Sequence, residues 1–135
     1  MSGPGPNIRP EAVARAVFDR LAPLVPREID FQISGAEIRL TDRNGVSSET
    51  DCRSFFNDGV ETVEAASTAL LAVLSQVQDF VTEFLTDPWP PTPPESPGLA
   101  PPDVVVRGEG IRLLYGPPSD PLIELPFVEW KELRD

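Results

Sequence analysis

The residues left for acid/base chemistry in this chain are its carboxylates. Among its 135 residues there is no histidine and only one cysteine, Cys52. That excludes Ser-His-Asp and Cys-His catalysis, histidine-ligated zinc and the commonest general base at neutral pH. One thiol cannot supply a thiolate-rich metal site either. Cys52 stands between Asp51 and Arg53, just ahead of the main helix. A nucleophilic thiol wants a helix N-terminus or nearby cations, and the adjacent acid works against it. Its expected role is that of a small structural thiol.

The carboxylates come in two groups. Asp58, Glu61 and Glu64 lie at three-residue spacing, so a helix would line them along one edge. Such an edge could hold a hard cation such as Ca²⁺ or Mg²⁺. Solvated acids at a helix N-terminus, favoured there by the macrodipole, account for the same residues. Asp79 and Glu83 form a second acidic pair one helical turn apart. Gly108-Glu109-Gly110 lacks the further glycine and following helix of a phosphate loop, and reads as a hairpin turn. No cofactor and no metal are expected.

The charge pattern restricts the partners. Residues 1–53 carry seven basic and eight acidic side chains, residues 107–135 four and six, and residues 54–106 none and eight. A net charge of −11 repels phosphate backbones and anionic membrane surfaces, so neither nucleic acid nor membrane is expected as a partner. The acidic middle third suits a solvated face or a docking surface for a basic partner. A lone cysteine allows no intramolecular disulfide. The segment MSGPGPNIRP lacks the apolar core of a signal peptide, and no run of 18 apolar residues exists for a membrane span. The expected location is the cytoplasm.

The elements that must position these groups follow from periodicity. Residues 1–8, with two Gly and two Pro, read as a disordered tail, and 9–135 as a single domain. Pro10 suits the first turn of a helix whose stripe is Val13, Val17, Leu21 and Leu24, with Phe18 beside it. Pro23 and Pro26 end that helix. Ile29, Phe31 and Ile33 alternate with Asp30 and Gln32 as a half-buried strand, and Ile38 and Leu40 continue the pattern after Gly35. Asn44-Gly45 signals a hairpin leading to a poorer strand, Val46–Thr50, expected at an edge.

The main helix is expected from Asn57 or Asp58, with Asp58 and Glu61 as an approximate capping box. Val60, Val63, Ser67, Leu70, Leu74, Val77, Val81 and Phe84 then recur at steps of three and four. Eight prolines between 88 and 102 forbid helix or sheet interior there, so an extended Pro-rich loop follows. Strands resume at Val104–Val106, where three consecutive valines suggest burial on both faces, and at Ile111–Tyr115. Leu122–Phe127 reads as an edge strand because of its prolines, and residues 128–133 as one helical turn. The result is an α+β fold of order α-β-β-β-α-β-β-β. It has an antiparallel sheet of about five or six strands, one short helix and one long helix.

The helical stripe is the best functional feature. Packed against the sheet it is simply core. A stripe of this length can also pair with a second copy or with another protein. On that reading Leu70, Leu74, Val77, Val81 and Phe84 are the candidate contact residues. Trp89 and Trp130 join them, since tryptophan is enriched at binding hot spots.

From Val13 to about Trp89 the chain resembles small proteins of actinobacterial type. The shared features are a Leu-Ala-Pro-Leu-Val-Pro helix end, a hairpin, and a long helix with Val-Gln-Asp leading to Pro-Trp-Pro. In that pattern a cysteine and a histidine follow Trp-Pro. Here Thr92 and Glu95 stand in those places, so the resemblance implies no metal or redox role. It implies a bacterial, cytoplasmic origin and carries no activity. The element order is similar to that of type III secretion chaperones, which hold a client segment with a sheet and a helix. The expected function is therefore a non-enzymatic acidic interaction domain for another protein, one with a basic surface, or for a second copy as a homodimer. The alternative is a small ligand- or cation-binding domain, or an enzyme, that uses carboxylates with Arg39, Arg107 or Arg112 in an enclosed pocket.

Overall fold

The computed structural model describes residues 8–57, 62–95 and 98–134. The expected capping pair, Asp58 and Glu61, and residues 1–7 of the expected tail lie outside them. Ile8, also assigned to that tail, is buried at 5% exposure, and the Arg9 N–H donates to the Leu133 carbonyl (2.9 Å).

The chain folds as α+β in the order α1 (Pro10–Leu21), β1 (Asp30–Ser34), β2 (Glu37–Thr41), β3 (Ser47–Asp51), a 3-10 turn (Cys52–Phe55), α2 (Thr62–Leu85), β4 (Pro102–Val106), β5 (Gly110–Tyr115), β6 (Ile123–Glu124), β7 (Val128–Glu129) and α3 (Trp130–Arg134). The strands divide between two antiparallel sheets. One is β1-β2-β3. The other is β4-β5 with β6 and β7 both paired to the far side of β5. Helix α2 and the Pro-rich segment separate the two sheets in sequence, and α2 packs against both, touching β2, β3 and β4 as well as α1.

Local signals explain most boundaries. Pro10 sits at the start of α1, and Val13, Val17 and Leu21 are fully buried, whereas Leu24 lies past the helix end and is 39% exposed. In the first sheet Ile38 and Leu40 are fully buried, and the opposite face carries Gln32, Arg39 and Glu49 to solvent. The β2–β3 turn is organised by Asp42. Its Oδ1 accepts from the Asn44 and Val46 N–H groups (2.8 and 3.1 Å), so only Gly45 takes positive φ (86°).

The second sheet departs from expectation in two places. Val104 and Val105 are half-buried and Val106 is 47% exposed, because β4 is an edge strand with β5 on one side only. The expected strand over 122–127 is interrupted. Leu125 still donates to the Leu113 carbonyl (2.9 Å), but Pro126 has no N–H, and pairing with β5 resumes at Val128. Gly110 is required where β7 crosses, since a Cβ there would collide with the Val128 carbonyl oxygen.

Candidate functional site

Most of the expected contact residues are inside the molecule. Leu70, Leu74, Val77 and Val81 are fully buried between α1 and the two sheets. Trp89 is 6% exposed, with its ring edge-on to Tyr115 at 5.6 Å and its backbone N–H donating to Thr82 Oγ1 (3.2 Å). Trp130 is 2% exposed and donates from Nε1 to the Gly108 carbonyl (2.9 Å). Tyr115 in turn donates its hydroxyl to the Leu74 carbonyl (2.8 Å), and buried Gln78 donates to the Ala100 carbonyl (2.6 Å). These bonds pin the Pro-rich segment and β5 to α2. Of the seven residues, only Phe84 presents part of its ring to the surface.

Phe84 belongs to a groove of about 280 Å³ between the last turns of α2 and the β2–β3 turn. Phe80 and Phe84, one helical turn apart, form its floor, and Glu83 stands on the helix rim. The opposite wall is Asp42, Arg43 and Val46, the last 58% exposed. The Arg43 guanidinium lies over the Phe84 ring, with Cζ 5.5 Å from its centroid. Among the described residues no carboxylate lies within 4.0 Å of Arg43, and Glu83 meets no basic group.

Several acids elsewhere are matched to arginines. Glu49 is held below the usual carboxylate range chiefly by the hydrogen bond from Arg39, and Asp51 and Glu124 likewise by Arg53 and Arg112. Every ion pair among the described residues joins partners within 9–53 or 107–134, or one from each. Glu64, Asp79, Glu83, Asp87 and Glu95 are exposed, and among the described residues no basic residue pairs with them.

The other concavities offer less. A larger groove of about 450 Å³ runs between the Pro-rich segment and the 116–122 loop, with Leu99, Pro101, Pro117 and Leu122 among its walls and Asp120 as its ionisable group. Arg39 lines a shallow hollow of about 200 Å³ with Glu37 and Gln32. Arg112 holds Glu124 by two bonds of 2.8 Å and reaches the Pro118 carbonyl (3.2 Å), which ties the 116–122 loop to the sheet. Cys52 is fully buried. Its thiol is pushed up to about 12, first by burial and then by Asp51, so it stays protonated at neutral pH. Among the described residues no group of three acids or cysteines is placed to hold a metal ion.

No family description, curated protein or solved structure matches the chain. Sequence reasoning reached Phe84 as a contact residue but did not join it to Arg43, Phe80 and Val46, its neighbours in space. The available signals were the apolar Val46 beside the Asn44-Gly45 turn and the i,i+4 pair Phe80/Phe84.

Proposed function

We propose that this chain is a non-catalytic acidic interaction module that binds another protein through a basic surface of that partner, in the cytoplasm. One observation carries the reading. Among the described residues the exposed acids from Glu64 to Glu95 have no basic partner, whereas Arg20, Arg39, Arg53 and Arg112 are matched to carboxylates on the same molecule. Unpaired surface charge of one sign raises the encounter rate with the opposite sign and disfavours like-charged competitors. The aromatic groove beside Glu83 supplies the apolar area that charge alone lacks, since specificity at interfaces rests on a few desolvated anchors. Among the described residues no helix is long and apolar enough to cross a membrane, which is compatible with this setting.

Affinity capture with the tagged full chain from lysate of its source organism, at low and high salt, tests the proposal. One stoichiometric basic partner released by salt is the expected result, because exposed charge attraction is screened. Retention unaffected by salt would contradict it. Recovery of the chain alone, together with a thermal shift on adding a divalent cation or a small-molecule library, would favour the ligand-binding alternative.

A further inference from the structure

We propose that the groove between the Asp42–Val46 turn and the last turns of α2 is the seat for an arginine side chain of a partner protein. The inference rests on the reading of the chain as an acidic interaction module and assigns that module a contact point.

Three features of the groove select a cation. An aromatic face attracts a guanidinium through its quadrupole, and Phe84 already carries one, that of Arg43 at 5.5 Å. The structure thus displays the contact within the molecule. Second, the rim carboxylate of Glu83 has no basic partner among the described residues, so an arriving guanidinium finds an ion-pair partner there and competes only with Arg43 for the ring. Third, about 280 Å³ falls just below the usual range for small-molecule sites of roughly 300–1,000 Å³. The size suits one side chain better than a cofactor.

The lining of the seat carries more acid than base. Asp42 and Glu83 stand on opposite walls, and Arg43 is the single basic residue lining it. An anionic ligand would meet both carboxylates, with only a guanidinium already engaged on an aromatic ring to receive it. Arginine fits better than lysine, because a planar guanidinium can stack on Phe84 or Phe80 while donating to Glu83. Exposed Val46 offers apolar contact to the stem of such a side chain.

The test is a titration of the isotope-labelled full chain, followed by amide chemical shifts. The probes are a short capped Gly/Ser peptide carrying one arginine and the same peptide carrying citrulline, its neutral isostere. The expected result is saturable perturbation centred on residues 42–46 and 80–84 with the arginine peptide and none with citrulline. Phe84→Ala should weaken binding about five- to tenfold. Glu83→Gln, an exposed and nearly isosteric change, should weaken it by several-fold.

Equal perturbation by the citrulline peptide would overturn the inference. So would shifts spread along the exposed acids of α2 and unaltered in Phe84→Ala, a result that leaves the wider charge-based reading intact. No saturable shift also overturns it, and salt-sensitive capture then judges the module reading separately. Concentration-dependent shifts at 42–46 and 80–84 without peptide would mean that a second copy fills the groove, which contradicts the proposed occupant.

Discussion

Two seams join distant parts of this chain, and each contains an arginine. At the first, Arg20 of α1 reaches the C-terminal segment. It donates to the Pro126 and Phe127 carbonyls (2.7 and 2.9 Å), to the Ala16 carbonyl (2.9 Å), and to both oxygens of Glu132 (2.6 and 2.8 Å). Its side chain is only 12% exposed. At the second, Arg43 of the β2–β3 turn reaches α2 and touches a ring face, next to a carboxylate it does not pair with and a groove of about 280 Å³. The first seam is saturated and holds the fold closed. The second leaves Glu83 without a basic partner among the described residues. A guanidinium stabilises a fold when its donors are matched inside the molecule, and an unmatched aromatic and acidic site is where a partner can add something.

Breaking the closed seam should have the largest effect. Arg20→Ala removes the less exposed partner of an ion pair and strips Pro126 and Phe127 of a donor. It should cost about 2–3 kcal/mol, somewhat below the usual cost of breaking a fully buried pair because Glu132 is 39% exposed. Denaturant unfolding measures this, and a loss below about 0.5 kcal/mol would make the two seams alike. Next is Tyr115→Phe, which removes the hydroxyl bond to the Leu74 carbonyl while keeping the ring against Trp89. A loss of about 1 kcal/mol is expected by the same assay.

A pH series sharpens the contrast between matched and unmatched acids. Glu49, Asp51 and Glu124 ordinarily titrate at 4.5, 3.8 and 4.5, and all three are lowered by arginine partners. A carboxylate whose folded pKa is depressed adds stability that is complete above its unfolded value. That stability is lost as pH falls through the folded value. Unfolding midpoints should therefore be flat from about pH 7 to 5 and decline below about pH 4. Arg39→Gln should flatten part of that decline, and an unchanged acid limb would contradict the assigned pairing. The smallest stability change is expected at the open seam. Arg43→Ala should stay within about 0.5 kcal/mol of the parent chain, since an exposed arginine over a ring contributes little.

How much of this was legible beforehand depends on the range of the interaction. Alternation at Phe31–Ile33 and Ile38–Leu40, the Asn44-Gly45 turn and the three- and four-residue steps of α2 are local, and they placed the elements in order. A stripe reports that a face is apolar without reporting what covers it. That is why Leu70, Leu74, Val77 and Val81 read first as core but left a contact role open, and why the structure was needed to put them inside. The three valines of β4 suggested two-sided burial, but edge position is a property of strand pairing and not of composition. Arg20 with Glu132 and Arg43 with Phe84 are separated by 112 and 41 residues. No periodicity carries such pairings, so both seams, and with them the groove, were invisible until the chain was folded.

The most direct test of the account is the affinity of the one-arginine peptide for Arg43→Ala, measured beside the parent chain at equal ionic strength. If Arg43 occupies a seat meant for a partner's arginine, removing it frees the Phe84 face and deletes a like charge. Binding should then tighten about two- to fivefold, as loss of a competing exposed cation–π contact implies, with stability unchanged. Weaker binding in Arg43→Ala would show instead that Arg43 itself receives the ligand, and would contradict the groove as a cation seat.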